Sequence, residues 1–386
     1  MSLRSVDRPV VSGAATLVAA VAFVLARVEV AGHGKIASFI LAERRWVNAA
    51  QAPPGLPVLA RNGYDGQFYY RLALDPADLH RTAFGITLDA PFRLQRIGYP
   101  VLAWMASLGH HGWVPMTLVA VNVVAITALA VLGGLLARDH GRHALCGLMF
   151  AGYFGFVFSL SRDTTEPLAA AFLLGGFLAC RRQRWLLAAG LFACGCLTRE
   201  TVLVAVAALA LIRVVSWVRR GSWPSRPDAA WILPLAAFAA WQLIVHQVVG
   251  AYPYATDTSS NGAAPLTGII DGFRGHVHQV TGGSAAADIW ILEVAVLALF
   301  VVAAARSFAS TEVSAMERLA FVGYVLQMFV LSPSIWSGSA DLRSLDEVFL
   351  LSLMVVLGTR RRSLPVLAVP FGLALLAVVG HRVIDL

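Results

Sequence analysis

An all-α fold that crosses a membrane about ten or eleven times is what this sequence predicts, and two observations carry the prediction. The 386 residues are 58% hydrophobic and 13% charged, with a mean hydropathy of +0.71, whereas soluble domains carry about one-quarter charged residues. Stretches near the roughly 20 apolar residues that a spanning helix needs recur from Val10 to His381, with arginines in the turns between them. The chain therefore reads as one membrane domain over residues 1–386 rather than a soluble unit on an anchor.

Arg4 and Arg8 precede the apolar run 10–31 in the manner of a signal peptide, but the run shows no small-residue cleavage pattern, so it is expected to remain as the first helix. With the N-terminus inside, that helix delivers 32–112 to the outer face as the largest polar loop. Within it, 96–113 holds an apolar stretch too short to span, expected to lie in plane or re-enter with Trp104 and Trp113 at headgroup level. Runs 114–136, 145–160 and 168–180 then alternate inward, outward and inward. The apolar stretch 185–217 would be about 50 Å long as one helix, against a hydrocarbon core of about 30 Å, so a break is expected at 197–201, leaving Arg199 and Glu200 outside. Run 231–249 leads to a second outer loop, about 250–288, rich in Gly, Ser and His. Run 289–305 and two or three further spans complete the chain.

The formal charge is +8, with Lys35 the single lysine. The arginines sit in short turns, where they set orientation and do not form the contiguous patch that nucleic-acid binding requires. Clusters at 138/142, 181/182/184, 219/220/226, 306/318 and 360/361/362 all fall on the inner side of this topology. Cys146, Cys180, Cys194 and Cys196 lie in apolar segments without zinc-site spacing and read as core residues. No internal repeat supports an inverted-repeat transporter.

Most carboxylates fall on the outer side: Asp65, Asp75, Asp78, Asp89, Asp163, Glu166, Glu200, Asp257, Asp271, Asp341, Asp346 and Glu347. Asp139, Asp228 and Glu317 are among the few inside. Charges at membrane-helix ends face water-filled cavities or one another, which puts a site at the outer end. The string ARNGYDGQFYYRLALDP is the most informative: Asp65 stands among glycines and aromatics just before a short helix. Gly63 and Gly66 allow the turn that close ligand approach requires. The same letters also describe a plain turn whose Asp bonds local backbone, and both readings stay open.

An aromatic DG string in the first outer loop, after one N-terminal helix, resembles the GT-C superfamily of membrane glycosyltransferases. The strings LDAPFRLQRIGYPVLAW and RDTTEPLAAAFLLGGFLAC…LTRETVLV are similar to bacterial members that act in cell-surface polysaccharide assembly, so the resemblance covers about half the chain. It implies a donor sugar on polyprenyl phosphate, a glycan or lipid-linked acceptor, and a site on the outer face of a bacterial inner membrane. It also implies a functional acid at Asp65, with Tyr64, Gln67 and Tyr69 as flanking substrate contacts. Attack on an anomeric carbon needs a base for the acceptor proton, and an ionised Asp65 fits that role. By analogy with glycosidases, direct displacement inverts the anomeric centre.

The leaving lipid phosphate calls for planar, bidentate cations. Arg93 and Arg96, just before the in-plane helix, come first, and Arg162, Arg199 and Arg343 follow; snorkelling to headgroups or structural ion pairing accounts for the same residues equally simply. Asp163 and Glu166 share a face if the helix includes both, and could then hold a sugar hydroxyl or a metal. A helix N-terminus favours the same residues through its dipole. Asp65 lacks a paired acid, so no cofactor is expected and a metal requirement is in doubt. His276 and His278 read as a loop pair, and Tyr252 and Tyr254 as sugar-stacking or interfacial residues. The rival functions are a transporter or flippase of lipid-linked saccharides, and a non-catalytic subunit of an assembly complex.

Overall fold

The computed structural model describes residues 7–221, 225–255, 261–280, 284–336, 341–359 and 364–384. Arg4, Asp257 and Arg360, Arg361 and Arg362, singled out above, lie outside the described residues.

The protein is a multi-pass helical membrane protein. Six helices are long and apolar enough to cross a bilayer. They are α1 (Pro9–Val30), α4 (Val114–Asp139), α9 (Leu203–Arg220), α10 (Ala229–Val249), α12 (Ala285–Ser307) and α16 (Leu364–Ile384). A bent pair, α5 (Gly147–Ala151) and α6 (Phe154–Ser161), makes a seventh span if taken as one; it is kinked by 53° where a single straight helix was expected. The start of α5 nests on α4 so closely that a Cβ on Gly147 would stand 2.1 Å from the Ala130 carbonyl, the close backbone approach that small residues permit in membrane bundles.

Four shorter helices also run the bundle: α7 (Glu166–Arg181), α8 (Trp185–Thr198), α13 (Ala315–Phe329) and α15 (Asp346–Leu357). The sequence predicts ten or eleven spans and the structure supports six, or seven with the bent pair, because these four helices have fewer than the roughly 20 residues that bilayer thickness demands. α15 shows why a short pass is tolerated, since each of its 12 residues is buried and none has to meet lipid. The break expected near 199 is present: α8 stops at Thr198, Arg199 is extended, and a short 3₁₀ turn leads into α9.

Neighbouring helices close a ring in the order α1, α4, α7, α8, α10, α9, α13, α15, α12, α16 and back to α1. Successive passes alternate between two ends told apart by what meets there. At one end Arg142 donates to the carbonyls of Leu357 and Thr359, Arg181 pairs with Glu317 and Arg182 with Asp139. At the other, Asp65, Glu166, Arg199 and Arg343 converge. The described arginines of the inner clusters all sit at helix ends on the first side. α1 and α16 lie side by side and run parallel, with Arg27 donating to the Arg382 carbonyl.

The loop between α1 and α4 is folded, not merely polar. It holds two two-stranded pairings, Ala42–Glu43 with Val58–Leu59 and Thr82–Ala83 with Ile86–Thr87. It also holds α2 (Gly66–Leu74), all of it buried, and α3 (Gly98–Ala106). At nine residues α3 is too short to span; its Trp104 and the following Trp113 are 40% and 51% exposed. The segment after α10 differs from the loop expected there, because 267–280 form a helix, α11 (Thr267–Val280). Its glycines lower helix propensity, but Gly268 and Gly272 are the positions where it lies against Trp336. That helix separates His276, buried and stacked on Trp290 at 3.9 Å, from exposed His278.

Candidate functional site

Residues 61–66 are drawn against the turn that joins α6 to α7. Asn62 takes a left-handed φ of 68°, the Tyr64 amide donates to the Leu41 carbonyl at 3.0 Å, and a Cβ on Gly66 would lie 2.4 Å from the Arg162 carbonyl. Gly66 is thus required by close chain approach. Asp65 stands at the N-cap of α2 yet makes no side-chain capping bond, so the plain-turn reading of its carboxylate does not describe it.

Both carboxylate oxygens of Asp65 meet arginines instead. Oδ1 lies 2.8 Å from Arg93 Nη2, and Oδ2 accepts from Arg343 Nη2 at 2.7 Å. Arg93 also grips Asp89 bidentately at 2.9 and 2.8 Å and lies over the rings of Phe68 and Phe92. Arg343 reaches Glu166 with its other nitrogen at 2.7 Å and lies over the Tyr64 ring. Tyr64 in turn meets Phe158 edge-on at 5.0 Å.

Two further pairs extend the network. Arg96 forks onto Glu200, with Nε at 2.9 Å from Oε2. Arg199, extended at the helix break, donates to Asp346 at 2.8 Å and stands 3.8 Å from Glu347 and 3.9 Å from Glu166. It therefore ties together the N-termini of α7 and α15, where acidic residues also suit the helix dipoles. Burial opposes ionisation of Asp65, but Arg93 and Arg343 outweigh it and hold its carboxyl below the usual carboxylate range. Burial pushes the Tyr64 hydroxyl up to about 12.

Part of this network lines a cavity of about 510 Å³, while Asp89, Asp346 and Glu347 pair with its arginines from behind the lining. Of the residues singled out in the sequence, Tyr64, Asp65, Arg93, Arg96, Glu166, Arg199 and Arg343 face it together, although they come from five separate stretches of chain. The remaining four do not line it. Gln67 is buried and accepts from the Glu43 amide at 3.0 Å. Tyr69 lies behind Arg96, its hydroxyl 3.4 Å away and its ring edge-on to Tyr99. Arg162 lies over the Phe158 ring at 5.8 Å and is not part of the lining.

Asp163 has a left-handed φ of 48° and precedes the helix, which begins only at Glu166. The shared face anticipated for these two acids therefore does not form. Glu166 turns into the cavity, and Asp163 is buried toward Arg27 and Tyr99. Tyr252 and Tyr254 stack in the series His246, Tyr252, Tyr254 outside the cavity lining. Among the described residues no cluster of acids, histidines and cysteines has the arrangement of a metal site.

Glu200, Asp346 and Glu347 belong to the site although the sequence placed them only as outer acids; their adjacency to arginines at helix breaks was the available signal. Thr201, Asn261, Gln327 and Ser334 also line the cavity; Thr201 falls in the break expected at 197–201, and nothing in the sequence neighbourhood of the other three marks them. No family model, curated protein or solved structure matches this chain significantly.

Proposed function

We propose that this chain is a membrane glycosyltransferase that moves a sugar from a polyprenyl-phosphate donor to a lipid-linked or cell-surface glycan acceptor, with the cavity facing the periplasm of a bacterial inner membrane. The observation that carries the reading is the engagement of Asp65, which is held into an arginine-lined cavity and leaves its own helix uncapped. The GT-C-like strings of the sequence point the same way.

In this mechanism an Asp65 carboxylate oxygen takes the acceptor hydroxyl proton as that oxygen attacks the anomeric carbon. The bond from that carbon to the phosphate oxygen breaks, and its electron pair leaves with the lipid phosphate. Arg93, Arg96, Arg199 and Arg343 are the cations that line the cavity where that charge develops. Every one of them is ion-paired in this structure, so a donor phosphate must compete for them. As it draws Arg93 or Arg343 away from Asp65, the carboxylate loses the partners that suppress its basicity. The base strengthens when the donor is in place.

The test is transfer of radiolabelled sugar from a panel of polyprenyl-phosphate donors by membranes containing wild type or Asp65→Asn at matched protein levels. The expected loss is about 10²- to 10⁴-fold, the usual worth of a general base; equal rates would overturn the assignment. The flippase reading has its own observation, the buried Arg27, Glu293 and Arg382 within candidate spans. It predicts movement of a lipid-linked saccharide across sealed vesicles that Asp65→Asn leaves unchanged.

A further inference from the structure

A second and larger hollow lies on the outside of the ring, away from the charged cavity. It is a groove of about 1100 Å³ between α4, α7 and α8, roofed at the cavity end by Leu102 and Met105 of α3. Its walls are apolar, with Val121, Val124, Phe172 and Leu191 among them, and Ala128 and Gly175 make it deep where larger side chains would fill it. From Leu168 to Arg182 along α7 it runs about 21 Å at 1.5 Å per residue.

The two ends of this groove differ in charge. At the cavity end it is lined by apolar residues alone, but at the opposite end Arg182 and Arg184 form its rim. There it adjoins another hollow of about 660 Å³, which shares Arg184 and Leu187 and adds Trp185 and Arg226. Arg182 is held on one side by Asp139 at 3.1 Å and is half-exposed. Arg184 and Arg226 are exposed and make no ion pair among the described residues. An apolar slot of chain length that ends in three guanidinium groups beside an interfacial Trp matches an acyl chain with an anionic head.

We infer that this groove is a binding site for an anionic glycerophospholipid, with one acyl chain along α4 and α7 and its phosphate at Arg182, Arg184 and Arg226. The occupant comes from the leaflet at the end opposite the charged cavity, and so is not the proposed sugar donor, whose phosphate belongs with Arg93 and Arg96. Binding needs no turnover and stands or falls independently of the transferase reading.

The test is native mass spectrometry of the detergent-purified full chain titrated with phosphatidylglycerol, phosphatidylcholine or polyprenyl phosphate. Wild type is compared with Arg182→Gln/Arg184→Gln and with Ala128→Trp, each first shown to melt as wild type does. Wild type should retain phosphatidylglycerol in preference to phosphatidylcholine. The double variant should weaken that binding by about thirty-fold, the combined worth of two interfacial arginines, and Ala128→Trp should block it. Equal retention of the two phospholipids, or phosphatidylglycerol binding unaffected by Ala128→Trp, would overturn the site. So would occupancy by polyprenyl phosphate that ignores the arginine changes, since that outcome makes the groove a carrier-tail channel.

Discussion

Asp65 is 14% exposed and has a guanidinium on each oxygen, which gives its charge a measurable signature. Because its pKa in the folded protein lies below that of an unfolded aspartate, the pairing contributes stability that is complete above the unfolded value of about 4. That contribution is lost as pH falls through the folded value. The gap between the melting temperatures of wild type and Asp65→Asn should therefore begin to narrow as pH is lowered from about 6 to about 3. A gap that stays constant over that range would mean the pairs do not form. Arg343→Gln removes the contact shared by Asp65 and Glu166. Because the kcat/KM profile reports the free enzyme, loss of this cation should shift its acidic limb upward in pH; an unmoved limb would mean that Asp65 is not the base.

At the scale of elements, the site depends on how closely loop and bundle approach. Gly66→Ala places a methyl 2.4 Å from the Arg162 backbone carbonyl, and neither chain can retreat without moving Asp65 or the turn before α7. We expect it to lower thermal stability and to cost transferase activity. Gly190→Ala in α8, where a methyl meets nothing within 4 Å, should instead stabilise by about 0.4–1 kcal/mol by restricting the unfolded chain. Thermal melts of the two variants in one detergent would show opposite shifts; the same sign for both would contradict the packing described. Much of this level was legible in the letters. The break at Arg199, a helix α3 too short to span and the Asp65 turn follow from lengths and residue types. The inward fates of Gln67 and Tyr69 were not legible, because α2 is buried on every side and no polar face marks its orientation. Nor was the departure of Asp163 from Glu166, which turns on one left-handed residue.

Across the whole molecule, two buried charge groups sit back to back on Phe158: Arg343 on the cavity side, with Arg382 at 4.7 Å from the ring. Arg382 grips Asp341 with two bonds of 2.6 Å, linking α16 to the turn that carries Arg343. Arg382→Met leaves a buried carboxylate without its partner and should cost about 3–5 kcal/mol. Adding Asp341→Leu should restore part of that loss, and a double variant no more stable than the single would show the pair to be incidental. This long-range pairing joins residues 41 positions apart, a separation at which sequence spacing carries no information. The alternation of passes, by contrast, could be read directly, because each turn at the basic end carries its own arginines. One consequence reaches past the site. Since α1 and α16 are neighbours that point the same way, Pro9 and Ile384 emerge on opposite faces of the bilayer, and the crossings between them are odd in number. A protease added outside sealed vesicles should remove an epitope fused at only one of these two positions.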